Sequence, residues 1–233
     1  MYNGKMKALT FSYDDAVTQD IRLIEIFNKY NLKGTFNLNS GLLGQNMNIV
    51  RQDVEITHNK IKAEDIKYVY DGHEVAAHTV SHPCVTRLND WGVIKEVEDD
   101  RVRLSELVGY EVVGMAYPGA GGALYDHRVS KIIRENTGIK YARIVELSYN
   151  FELQENLFEF SPTIHHHCNW DKLFELGQQF IEMETEKPQI FYIWGHSYEF
   201  DIFNDYDKME EFCKMISGKD DIFYGTNREI LLK

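Results

Sequence analysis

Two adjacent aspartates, Asp14 and Asp15, close the first strand-like run of this 233-residue chain. Two histidines four residues apart, His78 and His82, follow a later apolar run. One carboxylate and two imidazoles commonly hold a divalent metal while leaving a coordination position open. A second carboxylate beside them is then free to act as a base on water activated by the metal. The reaction this combination serves is hydrolysis. In Trp194-Gly195-His196-Ser197 a histidine follows an apolar run with a glycine before it, so it can project into a pocket. Histidine titrates near neutrality and is the usual general acid.

Each of these residues also has an ordinary explanation. Aspartate is favoured as a helix N-cap, and a helix-like stretch follows Asp14 and Asp15. A histidine pair at this spacing is common by chance, and a lone histidine such as His196 is often a half-buried, satisfied core residue. The internal triplet His165-His166-His167 could form a second metal site. Adjacent side chains diverge on an extended chain, however, so a pocket wall or a surface cluster is the better expectation. His166 and His167, close to Trp170, are the members expected near the active site.

The elements that must position these residues alternate between strand-like and helix-like. Strands are expected over residues 7–13, 33–38, 73–78, 112–117, 140–145, 189–194 and 221–224, with a small hairpin over 48–57. Helices are expected over 18–30, 63–70, 90–108, 126–135, 170–184 and 206–216, with a last one at the C-terminus. Ile21, Leu23, Ile24 and Phe27 form a helical apolar stripe in the first of these helices. Such alternation implies a parallel sheet with crossover helices, and seven or eight strands imply a closed or nearly closed α/β barrel. The polar motifs fall at the C-terminal ends of the strands, which is the end where such barrels carry their chemistry. Asp14-Asp15, His78 with His82, Tyr117-Pro118-Gly119 and Gly195-His196 all choose that end.

Composition narrows the partners. Lys and Arg number 25 against 37 Asp and Glu, a net charge of −12, which repels phosphate backbones and anionic lipids. Nucleic-acid and membrane binding are therefore not expected. Cys84, Cys168 and Cys213 are scattered and odd in number, which fits thiols in a reducing compartment better than a disulfide framework. Without a secretory leader pattern or an apolar stretch of ~20 residues, a cytoplasmic location is expected. No repeat, low-complexity stretch or linker interrupts residues 1–233, so one catalytic domain is expected.

Together the motifs resemble the polysaccharide deacetylase family, the metal-dependent carbohydrate esterases of family 4, over roughly Lys7 to Tyr224. Thr10-Phe11-Ser12-Tyr13-Asp14-Asp15-Ala16 is similar to the longer form of the family's first motif. Gly72-His73-Glu74-Val75-Ala76-Ala77-His78, followed by His82, is similar to its second, and Trp194-Gly195-His196 to its last. The resemblance implies a distorted (β/α) barrel of about seven strands. It implies Asp14 as general base, Asp15, His78 and His82 as metal ligands, and His196 as general acid. The substrate would be a sugar-like molecule carrying an N- or O-linked acetyl group, with an oxyanion donor near Tyr117, Pro118 and Gly119. Zinc is the first expectation for the metal, with cobalt, nickel and iron also suited to imidazole donors.

The chain departs from the family pattern in several places. Ala16 replaces a glycine, so the turn there is not expected to need a glycine-only conformation. The third motif keeps Pro118 but lacks the arginine that orients the base, for which Arg143 is the candidate substitute. The fourth motif is only loosely echoed by residues 167–171, which leaves His166, Trp170 and Trp194 as candidate substrate contacts. These departures keep two alternatives open: a small-molecule amide or ureide hydrolase of the same fold, and a non-catalytic carbohydrate-binding relative.

Overall fold

A computed structural model describes residues 2–119, 124–167 and 169–232. The expectation for Cys168 lies outside these residues. The chain runs β1 (Lys7–Asp14), α1 (Asp20–Lys29), β2 (Gly34–Leu38), then the hairpin β3 (Asn48–Arg51) and β4 (Val54–Thr57). It continues through α2 (Ile66–Val69), β5 (Glu74–Ala77), α3 (Asp90–Val108), β6 (Gly114–Ala116), α4 (His127–Asn136) and β7 (Tyr141–Arg143). Then follow β8 (Ile164–His165), α5 (Trp170–Glu182), β9 (Gln189–Gly195), α6 (Glu199–Phe203), α7 (Tyr206–Ile216), β10 (Ile222–Tyr224) and α8 (Asn227–Leu231).

The main sheet is parallel in the order β7-β6-β5-β2-β1-β9-β8, with β10 pairing to the first residues of β1. All eight residues of β1 are buried, as a central parallel strand covered on both faces must be. The sheet curls into a half-barrel surrounded by helices. Chain from Phe160 to His165 spans the gap between its ends. Phe160 pairs with Arg143 of β7, and the Thr163 N–H donates to the Tyr192 carbonyl of β9.

Helix α3 matches its expected limits, because its signals are local. The Asn89 side chain accepts from the Gly92 N–H at its start, and Gly109 takes φ +79° at its end. Two elements have no sequence signal, β8 and α6, and both flank candidate site residues. A two-residue strand has too few positions for periodicity to register. Among the described residues no helix is long and apolar enough to cross a membrane.

Parallel strands aim their C-terminal ends in one direction, so the loops after β1, β5, β6 and β9 gather at one rim. The loop after β9 is tied down by Asp20, which is fully buried at the start of α1. Its carboxyl accepts from Ser197 Oγ at 2.5 Å and from Tyr70 Oη at 2.7 Å. Burial pushes this carboxyl up to about 7, despite both hydrogen bonds. The folded state therefore holds the Asp20 proton more tightly than the unfolded chain. That contribution is complete below the unfolded value near 4 and is lost as pH rises through 7. Asp20→Asn should remove a pH-dependent loss of about 3–4 kcal/mol between pH 4 and 7. Urea unfolding of both proteins across that range checks this; parallel stability profiles would contradict it.

Candidate functional site

The two aspartates do not cap a helix. The N-cap of α1 is Gln19, four residues past Asp15. Asp14 is the last residue of β1, and at Asp15 the chain turns sharply. Asp15 takes φ +89° and Ala16 φ +54°, so alanine occupies the left-handed region that favours glycine. Thr79 (φ +69°) and His82 (φ +57°) are also left-handed. The loop that returns His82 to His78 is thus a tight, strained turn and not the helical turn that the i, i+4 spacing suggests. A β-branched residue such as Thr79 takes this conformation only when its surroundings hold it there, and such strain gathers at functional sites.

The strained turns bring donor atoms together. One ligand atom from each of Asp15, His78 and His82 lies within 4.8 Å of the other two. His82 Nε2 is 3.8 Å from Asp15 Oδ1, and the two imidazoles meet edge to face with ring centroids 4.9 Å apart. His78 Nδ1–H donates to the Ala116 carbonyl at 2.8 Å, which leaves the Nε2 lone pair facing the carboxylates. Burial draws His78 down to about 4, so it is neutral at neutral pH, as a metal ligand must be. An ion with bonds of ~2.1 Å in tetrahedral coordination separates its donors by about 3.4 Å. These donors fit such an ion with small side-chain adjustments.

The two carboxylates sit in different surroundings. Asp14 Oδ1 accepts from Asn37 Nδ2 at 2.8 Å, and Oδ2 contacts Arg143 Nη2 and lies 3.8 Å from His78 Nε2. Burial alone would raise the Asp14 carboxyl, but the Arg143 guanidinium and His78 lower it below its ordinary value. Asp14 is therefore a carboxylate able to accept a proton at neutral pH. The Arg143 side chain is fully buried and stacks over Trp194 at 4.2 Å. Asp15 has partners that sequence reasoning missed. His58 Nε2 is 3.4 Å from its Oδ2, and the buried Lys60 is 3.5 Å from its Oδ1. Both follow the β3–β4 hairpin. A lysine two residues after a histidine in a polar stretch gives no sequence signal until this segment folds over the end of β1.

A cavity of about 390 Å³ is lined by Asp14, Tyr117, Gly119, Leu124, Val145, Trp194 and His196. Within Tyr117-Pro118-Gly119 the Tyr117 N–H already donates to the Arg143 carbonyl at 3.0 Å, and proline has no N–H. Gly119 is left as the backbone donor of that stretch. His196 Nδ1 lies 3.5 Å from Glu199 Oε1. Burial would lower His196, but Glu199, with Asp15 and Asp14, raises it, so it keeps its proton to higher pH.

His166 and Trp170 are not brought to this cavity. His166 is fully buried, with its ring stacked 4.5 Å from Phe200, and Trp170 Nε1 donates to Asp205 Oδ2 at 2.6 Å. Their contacts with Phe200 and Asp205 hold them away from the cavity lining.

A family model described as polysaccharide deacetylase matches residues 2–142. No curated protein sequence matches. Among solved structures, the Xyl-CE4 domain of a multidomain xylanase from the Trinervitermes trinervoides hindgut metagenome superposes with a TM-score of 0.58. It shares 14% identity, over 97% of this chain and 90% of that one. T48 deacetylase, solved with substrate, gives a TM-score of 0.57 at 15% identity, over 100% of this chain and 94% of that one. The chain spans 55% and 40% of two longer deacetylases, from Streptococcus pyogenes and Bacillus cereus, each at a TM-score of 0.47. At these identities the structural likeness shows the fold, a deacetylase-type (β/α) barrel.

Gly195 separates Trp194 from His196, and a Cβ added there would stand 1.9 Å from His166 Nδ1. The His166 ring is enclosed and has nowhere to retreat. Gly195→Ala should therefore cost about 3 kcal/mol or more, read as a lower urea midpoint. An unchanged midpoint would show the ring to be free to move.

Proposed function

The chain belongs to the polysaccharide deacetylase family, and on that premise we propose that it is a metal-dependent hydrolase. It removes an N- or O-linked acetyl group from a carbohydrate or sugar-like substrate. The observation that carries this reading is the meeting, at one rim of the sheet, of a three-donor cluster with a separate paired carboxylate. Asp15, His78 and His82 supply the cluster, and Asp14 is the carboxylate. A divalent ion held by the three donors, zinc first and cobalt, nickel or iron also suited, would polarise the acetyl carbonyl and acidify water.

The chain's own groups account for the remaining chemistry. Asp14, ionised and oriented by Arg143 and Asn37, takes the proton of the attacking water. Gly119 lines the same cavity, and its N–H would suit the oxyanion that develops on the acetyl carbonyl. His196, whose pKa Glu199 raises against the effect of burial, gives its proton to the leaving amine or alcohol. The carboxylate and the imidazole take opposite roles because their surroundings move them in opposite directions. Arg143 approaches Asp14 from β7, so it takes the orienting position that the third motif leaves vacant. Trp194 and Tyr117 wall the cavity and would contact the sugar. Residues 1–233 act as one catalytic domain in the cytoplasm, on the strength of their scattered cysteines and acidic surface.

Asp14→Asn should lower kcat by about 10³-fold or more while the metal content stays at the wild-type level. Turnover assays on acetylated oligosaccharides, with metal analysis of the same samples, check this. Near-normal kcat would reject the base assignment. His78→Ala should lose one equivalent of metal, and retention of the full complement would reject the ligand set. A parallel screen with ureides and small amides separates deacetylation of sugars from small-molecule C–N hydrolysis.

A further inference from the structure

The histidine triplet converges on a carboxylate of its own. Three imidazole nitrogens surround a single oxygen, Glu199 Oε2. His165 Nε2 is 3.3 Å from it, His166 Nε2 3.6 Å and His167 Nδ1 3.9 Å. Donors on a tetrahedral ion with bonds of ~2.1 Å stand about 3.4 Å apart. An extended chain would scatter three consecutive side chains. Here the backbone turns straight after β8, and all three rings meet Glu199 at the start of α6. The His165 and His166 rings lie nearly parallel, 5.1 Å apart and 13° from coplanar.

The groups behind these rings are those that accompany metal-bound histidines, whose second nitrogen meets a carboxylate or a carbonyl. His167 Nε2 is 2.9 Å from Asp205 Oδ2, which also accepts from Trp170 Nε1. His166 Nδ1 is 3.3 Å from the Trp194 carbonyl, with Tyr13 Oη 3.4 Å away. Gly195 leaves the space that the His166 ring needs. The third imidazole is less prepared. His165 Nδ1 accepts from the His167 N–H at 3.2 Å, so its Nε2 carries a proton towards Glu199 that an ion would have to displace. His166 Nε2 and His167 Nδ1 are 2.6 Å apart, so they too must open slightly around an ion.

We propose that His166, His167 and Glu199, with His165 as fourth donor, form a second site for a borderline divalent metal such as zinc or cobalt. The site is distinct from the Asp15, His78 and His82 cluster. It shares no ligand with that cluster and does not depend on the function proposed above. It does lie next to the catalytic candidates, because Glu199 also accepts from the His196 N–H at 2.9 Å. An ion there fixes Glu199, and through it the loop that carries His196.

The test is metal stoichiometry. The stripped full-length protein is reloaded with Zn²⁺ or Co²⁺, freed of excess by gel filtration, and its bound metal is counted by mass spectrometry. The wild type should hold two equivalents. Glu199→Gln and, independently, His167→Gln should each hold one, and His78→Ala should hold one, kept by the second site. A thermal melt confirms that each variant is folded, and the two variants at different ligands guard against loss of one through misfolding. One equivalent in the wild type with none in His78→Ala overturns the second site, as do two equivalents in Glu199→Gln. One equivalent in the wild type that survives His78→Ala but is lost in Glu199→Gln supports the second site and rejects the first. A wild type with no metal rejects both.

Discussion

A charge sealed inside a parallel sheet must find an opposite charge, and the rest of this site is arranged around that requirement. Asp14 is 2% exposed at the end of the central strand, where an unpaired carboxylate would cost several kcal/mol. The Arg143 guanidinium, itself fully buried, meets it from β7, four strands away along the curled sheet. The contact works only because the sheet curls. In a flat sheet β7 and β1 would be about 19 Å apart, at a spacing of about 4.8 Å per strand. Curvature, charge pairing and orientation of the candidate base are thus one structural fact.

The same economy governs the acidic and basic groups near Asp14. Asp15 has its charge balanced by Lys60 and has His58 beside it, both from the chain just after the hairpin. His196 has its charge balanced by Glu199 three residues on, at the first turn of α6. Burial would raise Glu199, yet the His196 and His165 imidazoles hold it well below the ordinary carboxylate range. Asp14 and Asp15 thus meet partners from distant segments, whereas His196 meets one three residues on. Strain at Asp15, Thr79 and His82 accompanies this arrangement, and the sheet beneath is rigid enough to hold it.

Parts of this arrangement were readable in the chain because they rest on local rules. The run from Lys7 to Asp14 announces a buried strand, and Asn89 with Gly109 marks both ends of α3. Arg143 was readable as a substitute only because a departure from the family pattern left Asp14 without its usual partner. His58, Lys60 and Glu199 were not readable. Their spacing from the aspartates and from His165 to His167 carries no period, and each acts on a residue far along the chain. The histidine triplet was read in the wrong geometry for the same reason. Extended chain separates neighbouring side chains, and the turn after β8 that gathers them is too short to leave a pattern.

The sequence by itself determined the alternation of strands and helices, the end of the sheet where polar residues would collect, and the residue types available there. Those follow from side-chain periodicity and backbone preference, which act over a few residues. Only the tertiary structure decided which carboxylate meets which imidazole or guanidinium, that the Tyr117 N–H is already spent on the sheet, and that His166 turns away from the cavity. Those depend on the curl of the sheet and on turns at positive φ. Both are set by how distant segments pack, because no local sequence rule favours a left-handed threonine.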